Sequence, residues 1–229
     1  MPVISQRGIN MPESPIRKLV PLANEAKARG IKVYHLNIGQ PDIRTPEVGL
    51  DAMRHINREV LEYSPSEGLL SFRKKMVTYY HRFGIMVDTD DIIVTAGASE
   101  AVNFAFLACL NPGDELLIPE PAYANYMSFA ISCGVVVKAV PSSIEDGFAL
   151  PSINKFEEMI TPRTKAVMIC NPNNPTGDVL PLDAIEHIAE HISCAFLIDE
   201  AYVEFYGDTS IPLLKKYPHM MIARTFSKA

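Results

Sequence analysis

The last third of the chain contains Ala195-Phe196-Leu197-Ile198-Asp199-Glu200-Ala201-Tyr202, and later Met220-Met221-Ile222-Ala223-Arg224-Thr225-Phe226-Ser227-Lys228. Each stretch begins with a short apolar run, which is typical of a buried strand, and then turns polar. Open α/β sheets bind their ligands at the carboxyl ends of the strands. We therefore expect Asp199 and Lys228 to lie at that edge of a sheet.

A carboxylate and a lysine at two strand ends have two interpretations. They form a simple ion pair, or they hold pyridoxal phosphate. In the second case the lysine binds the cofactor covalently and the acid faces the pyridine nitrogen. These two stretches alone leave both interpretations open.

A third motif, Asn171-Pro172-Asn173-Asn174-Pro175-Thr176-Gly177, follows the apolar run Ala166-Val167-Met168-Ile169. With Asp199, Tyr202 and Ser227-Lys228 after it, in this order, the chain resembles the class I and II aminotransferases, which are fold type I pyridoxal-phosphate enzymes. The resemblance extends from Gly39 to Ala229. Each motif alone is unspecific, and the combination carries the resemblance.

The alternation of apolar runs and helical patterns predicts an α/β fold whose mostly parallel sheet is covered by helices on both faces. The resemblance implies the large domain of a fold type I enzyme, incomplete at its C-terminus. We expect residues 1–44 to form an N-terminal arm and part of the small domain, and 45–229 to form the cofactor-binding large domain. Helices are predicted over 15–29, 46–61, 69–83, 100–110, 125–133, 152–160 and 182–192, and strands over 35–38, 91–95, 115–119, 135–140, 165–169, 195–198 and 220–223.

The resemblance also implies a role for each residue nearest the reaction. Lys228 matches the lysine that carries the cofactor and then moves a proton at the substrate Cα. Asp199 matches the carboxylate that keeps the pyridine nitrogen protonated. Tyr202 and Asn174 match the two groups that hydrogen-bond the ring oxygen. Asn174 is chosen over the other asparagines of its loop because it directly precedes Pro175-Thr176-Gly177.

Further matches concern the rest of the cofactor and the substrate. The backbone N–H groups of Ala98 and Ser99, together with Ser227, match phosphate ligands, since a helix start offers free donors to an anion. Tyr123 matches the aromatic residue that stacks on the pyridine ring. Tyr63 matches a tyrosine that reaches the partner's cofactor phosphate across a homodimer interface, and Gly39 a residue beside the substrate carboxylate. Taken alone, each has an ordinary structural interpretation: a tight turn before a helix, a core aromatic, a half-buried tyrosine and a turn glycine.

Bulk composition excludes several classes of protein. The net charge of −6 argues against a nucleic-acid-binding surface. No apolar run approaches the length needed to span a membrane, and the N-terminus lacks the apolar centre of a signal peptide. The four cysteines form no Cys-x-x-Cys pair, so we expect reduced thiols in or near a core and a cytoplasmic protein.

One motif suggests a different chemistry. His187-Ile188-Ala189-Glu190-His191 matches the inverted zinc-protease pattern, with two histidines on one helix face. The helix lies between two predicted strands, on the side of the sheet and not at its ligand edge, and no third ligand is evident. We therefore predict a solvated helix surface and no metal site.

The function implied by the resemblance is transfer of an amino group between an amino acid and a 2-oxo acid. The alternatives are a lyase or decarboxylase with the same cofactor, a non-catalytic module such as the aminotransferase-like half of a transcription regulator, and an inactive fragment. Family members continue beyond the lysine into a phosphate-binding arginine and a small domain whose arginine binds the substrate carboxylate. The 229 residues alone are therefore expected to be inactive.

Two parts of the sequence resemble enzymes that act on different classes of substrate. Residues 1–177 resemble the aspartate aminotransferase branch, whereas 178–229 resemble histidinol-phosphate aminotransferases. Some aspartate-specific relatives place a lysine where this chain has Ser99, and a hydroxyl cannot replace that charge. Because the first 177 residues are expected to build most of the pocket wall, we favour an amino-acid donor, aspartate or a neutral one, over histidinol phosphate.

Overall fold

A computed structural model describes residues 3–14, 16–36 and 43–228. The chain divides into two compact units, one made of Met1–Ser14 and Thr95–Ala229, the other of Pro15–Val94. The predicted division after residue 44 stays a prediction. No helix within the described ranges is both long and apolar enough to cross a bilayer.

The first unit contains a five-stranded, fully parallel sheet in the order β2-β1-β3-β4-β5. In this order, β2 lies beyond β1 on one side of the β1–β3 pair, and β4 and β5 lie beyond β3 on the other side. The order of the strands therefore reverses between β1 and β3. Such a switch point opens a crevice at the carboxyl ends of the strands. The strands are β1 (Glu115–Pro119), β2 (Val136–Val140), β3 (Thr164–Cys170), β4 (Ala195–Asp199) and β5 (Met220–Ala223).

Nine α-helices and four 3-10 segments lie within the described ranges. The helices are α1 (Gln6–Asn10), α2 (Val20–Ala28), α3 (Glu47–Arg54), α4 (Leu70–His81), α5 (Ala98–Cys109), α6 (Asn125–Cys133), α7 (Ile153–Met159), α8 (Leu182–His191) and α9 (Val203–Tyr206). The 3-10 segments are Arg17–Leu19, Thr89–Asp91, Ile144–Asp146 and Ile211–Lys215.

Helices cover both faces of the sheet, as the sequence predicted. One core joins α5 and α6 to alternate strand residues, namely Val102, Phe106, Tyr126 and Ala130 against Leu116, Met168 and Leu197. The other core joins α8 and the 3-10 segment Ile211–Lys215 to the intervening residues, namely Ile185, Ala189 and Leu213 against Val167, Phe196 and Ile198. Strands buried on both faces require apolar residues at nearly every position, which explains the unbroken apolar runs.

The second unit has a buried arginine at its centre. The guanidinium of Arg73 donates to the backbone carbonyls of Gly68 and Thr89, at 3.2 and 2.7 Å, and lies 3.1 Å from the Glu67 carboxylate. Gly68 has a φ of 97° and packs so closely on Val94 that a Cβ there would lie 2.6 Å from the valine side chain. A side chain at this position would be both strained and obstructed.

The predicted strand 91–95 is wrong. Thr89–Asp91 is a 3-10 segment, started by Asp88 and Asp91, whose side chains cap each other's backbone N–H groups. These short acidic side chains compete with ladder hydrogen bonds for the backbone. The chain is extended from Ile92, and Val94 N–H donates to the Glu67 carbonyl at 3.0 Å, which is not a strand ladder.

Two further expectations are corrected in the second unit. The helix predicted over 46–61 ends at Arg54, and residues 56–61 are exposed. A short helix is held mainly by burial of one face, and this segment buries none. The strand predicted over 35–38 is not formed at His35 and Leu36, and its other residues lie outside the described ranges.

Candidate active site

Three neighbouring strand ends deliver three polar segments to one edge of the sheet. Asp199 pairs in register with Cys170 at the end of β3 and with Ala223 at the end of β5. The loop 171–177 follows β3, and the segment 224–228 follows β5. The parallel register therefore brings together residues that are far apart in sequence.

Asp199 is a buried carboxylate held by neutral donors. Its residue surface is 5% exposed, on the face covered by α5 and α6. One carboxylate oxygen accepts a hydrogen bond from the Tyr126 hydroxyl at 2.6 Å, and the other accepts one from the Ala201 N–H at 3.0 Å. Among the described residues no lysine, arginine or histidine lies within ion-pair distance of it. Burial raises the pKa of Asp199, while the bond from Tyr126 opposes that rise.

The adjacent carboxylate, Glu200, has the opposite environment. It points to the other face of the sheet and is 1% exposed. Arg224 places Nε and Nη2 at 2.9 and 2.8 Å from one of its oxygens. Thr209 and the Ser210 N–H add further hydrogen bonds. Within the described part of the chain, Glu200 thus has a cation as its partner, whereas Asp199 has none.

Two residues that sequence reasoning missed, Tyr126 and Cys170, are neighbours of Asp199. Burial, and then the Asp199 charge, raise the pKa of Tyr126 far above its ordinary value, so this phenol stays a donor. Burial and the same charge raise the pKa of Cys170 to about 11, so its thiol stays neutral. Tyr126 follows Tyr123 by three residues and lies in the first turn of α6, and this spacing was the available signal.

The three asparagines of the loop 171–177 have different hydrogen-bond partners. The Asn171 amide exchanges hydrogen bonds with the backbone of Leu180, at 3.1 and 2.8 Å. The Asn173 amide is bonded to the Pro121 carbonyl and to Thr176. Asn174 instead donates from Nδ2 to the Tyr202 hydroxyl at 3.0 Å. This arrangement supports the choice of Asn174 among the three.

Tyr202 and Lys228 lie on the same side of this loop. Burial raises the pKa of Tyr202, and the bond from Asn174 opposes the rise. The Lys228 ammonium lies 6.0 Å from the centroid of the Tyr202 ring. A cleft of about 390 Å³ opens between the loop and α9, lined in part by Asn174, Tyr202, Phe205 and Tyr206.

The start of α5 has the form of an anion site. Gly97 precedes it with a φ of 95°, a left-handed conformation that favours glycine. Ala98 and Ser99 are then the first helical residues, and backbone N–H groups at this position point out of the helix. Ser227 lies at the end of the chain, where the Thr225 hydroxyl accepts from its N–H at 3.1 Å and donates to its hydroxyl at 3.0 Å.

The remaining predicted residues are placed as follows. Tyr123 follows β1, is half-buried, and packs edge-on against Tyr126 with ring centroids 5.3 Å apart. Tyr63 belongs to the second unit and its side chain is fully exposed. Gly39 lies outside the described residues.

The structure also locates the histidine motif of α8 and the four cysteines. His187, Glu190 and His191 are exposed on α8, with ligand atoms within 4.8 Å of one another. Glu190, however, accepts hydrogen bonds from Lys216 and Tyr217. All four cysteines are free thiols, and Cys109 is exposed, which corrects the expectation that each packs in or near a core.

Asp199→Asn should stabilise the cofactor-free protein at pH 7, raising Tm by about 2–4 °C, or about 1 kcal/mol. The folded protein raises the pKa of this carboxyl, so the acid contributes stability at low pH that is lost as the pH rises through its folded pKa. The Tm difference between variant and wild type should therefore grow from pH 4 to pH 7 in thermal denaturation. A difference independent of pH would contradict this.

Comparison with known proteins places these features in context. Residues 31–229 match the family model described as aminotransferase class I and II. The aspartate aminotransferase of Pyrococcus horikoshii is 34% identical over 98% of this chain and 58% of its own length. The aspartate/prephenate aminotransferase of Thermus thermophilus is 35% identical over 73% of this chain and 44% of its own length.

Solved structures give the same result. The aspartate aminotransferase from Thermus thermophilus with maleate superposes with a TM-score of 0.84 at 31% identity, over 98% of this chain and 60% of that one. The alanine aminotransferase from Pyrococcus furiosus superposes with a TM-score of 0.78 at 36% identity, over 87% of this chain and 52% of that one. The chain thus spans between about two fifths and three fifths of the length of these relatives.

Proposed function

Because the chain belongs to the class I and II aminotransferases, we propose that the protein transfers an amino group between an amino acid and a 2-oxo acid. Members of this family use pyridoxal phosphate. When bound, the cofactor supplies a ring that accepts the electron pair left when the substrate Cα–H bond is broken.

The observation that carries the proposal is the environment of Asp199. Burying a carboxylate without a cation beside it costs free energy. Its pKa rises, because burial favours the neutral form. Asp199 accepts hydrogen bonds from two neutral donors, which offset only part of this cost, while Glu200 beside it pairs with an arginine. The site therefore fits a ligand that brings its own positive charge. A protonated pyridine nitrogen meets this requirement, and the carboxylate would in turn keep that nitrogen protonated.

The other groups fit the same ligand. Asn174 and Tyr202, already joined at 3.0 Å, would hold its ring oxygen, and Tyr123 would stack on its ring. The N–H groups of Ala98 and Ser99, with Ser227, would bind its phosphate. Lys228 would hold it covalently and move the proton at Cα. Gly39 is proposed to lie beside the substrate carboxylate.

A homodimer and a cytoplasmic location belong to the same proposal. A tyrosine as exposed as Tyr63 is available to contact a partner's cofactor phosphate. Free thiols are typical of a reducing compartment.

The donor is proposed to be an amino acid, aspartate or a neutral one. The start of α5 presents the Ser99 hydroxyl and not a cation, which disfavours an absolute requirement for a distal carboxylate. The relatives named above carry aspartate, alanine or prephenate in their names.

A donor series tests both reaction and substrate. The protein expressed from its complete coding sequence should form a 2-oxo acid from aspartate or a neutral amino acid only when 2-oxoglutarate is present as acceptor. Product formation without an acceptor would indicate a lyase or decarboxylase. We expect kcat/KM for the best amino acid to exceed that for histidinol phosphate at least tenfold, and the reverse order would refute the donor assignment.

A further inference from the structure

A buried ionic network lies directly behind the candidate site, on the other face of the sheet. Its centre is Glu200, and the Arg224 side chain is 14% exposed. Arg224 also donates to the Thr209 hydroxyl at 2.8 Å, and the Ser210 N–H donates to Glu200 at 2.6 Å. Two charges and their donors thus satisfy one another away from water.

The network joins three segments at the edge of the sheet that carries the site. Glu200 follows the last residue of β4, and Thr209 and Ser210 lie in the loop after α9. Arg224 follows the last residue of β5. Beyond it the chain has no regular structure up to Lys228. Directly before this segment, the Glu200 N–H donates to the Ala223 carbonyl at 2.9 Å.

We infer that Glu200 and Arg224 are positioning residues that fix the segment 224–228 and so determine where Lys228 meets the ligand. Arg224 is four residues before Lys228, and neither Glu200 nor Arg224 is placed in the ligand site. The consequence for turnover rests on the proposed function. The consequence for the order of the segment does not.

The physical reason is the cost of removing the anion from a buried ion pair. Without the Glu200 carboxylate, the Arg224 guanidinium would lie largely buried beside a neutral group. Such a cation moves toward water when its backbone allows it. The backbone of Arg224 has left the strand ladder, so the movement would displace the segment that carries Lys228.

The chain contains a matched control at the opposite edge of the same sheet. Glu115 is the first residue of β1 and is fully buried. Arg163 places Nε and Nη2 at 3.1 and 2.8 Å from one of its oxygens, and the Thr161 hydroxyl donates to the other at 2.7 Å. The hydrogen bonds repeat those of Glu200, whereas the Arg163 side chain is 72% exposed. The amino ends of the strands carry no proposed site residue.

The test compares Glu200→Gln with Glu115→Gln in the protein expressed from its complete coding sequence. Hydrogen exchange of a peptide covering 224–228 should speed up about tenfold in E200Q and stay unchanged in E115Q. In E200Q, kcat should fall about 100-fold with KM within about threefold of wild type, since a misplaced group costs turnover more than binding. E115Q should lower Tm while leaving kcat unchanged.

The inference is overturned if E200Q behaves like E115Q, with a lower Tm but wild-type exchange in 224–228 and wild-type kcat. If E200Q does not fold, Thr209→Val against Thr161→Val applies the same comparison with a milder change, and the same two outcomes decide it. If the wild type transfers no amino group, the proposed function fails, and exchange alone still decides whether the pair holds the segment.

Discussion

Lys228→Ala should abolish amino-group transfer, lowering kcat at least about 1,000-fold. The substitution removes the amine proposed to attach the cofactor and to move the proton at Cα, and a positioned acid–base group alone contributes about 10²–10⁴-fold. The variant should still fold, because Lys228 lies after β5, outside the described helices and strands, and is not one of the core residues. Steady-state kinetics and thermal denaturation measure the two effects separately.

The matched control is Lys216→Ala. Lys216 is an exposed lysine paired with Glu186 and Glu190 on the far face of the sheet, and its loss should leave kcat unchanged. Borohydride reduction of the cofactor-loaded wild type, followed by peptide mapping, should label Lys228. A label on any other lysine would remove Lys228 from its role, as would near-normal turnover of Lys228→Ala.

Asp199→Ala should leave the cofactor bound while lowering kcat about 100- to 1,000-fold. The cofactor's phosphate and ring oxygen keep their proposed ligands at Ala98, Ser99, Ser227 and Asn174, so the affinity for the cofactor is largely retained. The substitution removes the fixed negative charge that is proposed to face the pyridine nitrogen. Removing one such electrostatic group lowers kcat about 10²–10³-fold. Cofactor absorbance reports binding, and steady-state kinetics report turnover.

Tyr126→Phe provides a graded comparison for this prediction. It keeps the Asp199 charge and removes one of its two neutral donors, the bond of 2.6 Å. We expect a drop in kcat much smaller than that of Asp199→Ala. Asp178→Ala, at an exposed carboxylate directly after the loop 171–177, should leave kcat unchanged. Near-normal turnover of Asp199→Ala would separate this carboxylate from the reaction.

Local sequence was a good guide wherever burial followed from composition. The runs 195–198 and 220–223 are apolar at every position, and among the described residues they form an interior strand and an edge strand of one parallel sheet. It was a poor guide in the second unit. There Ile92-Ile93-Val94 is also an apolar run, yet it finds no strand partner among the described residues, and the acidic capping residues Asp88 and Asp91 precede it.

The sequence by itself determined the class of fold and the chemistry delivered to one edge. Continuous apolar runs suit strands covered on both sides, and the residue after each run must emerge at the same edge of a parallel sheet. Asp199, Asn174 and Lys228 could therefore be predicted to lie at one edge of the sheet without coordinates. The family's motifs then gave each residue an expected role.

Only the tertiary structure decided the electrostatic state of that site. Asp199 and Glu200 are adjacent and chemically alike, but successive strand residues face opposite sides of the sheet. Asp199 therefore accepts a hydrogen bond from Tyr126, 73 residues away on α6, and Glu200 pairs with Arg224. Which partner each carboxylate obtains depends on strand register and on the helix covering each face. These are non-local properties of packing, which no local pattern of residues encodes.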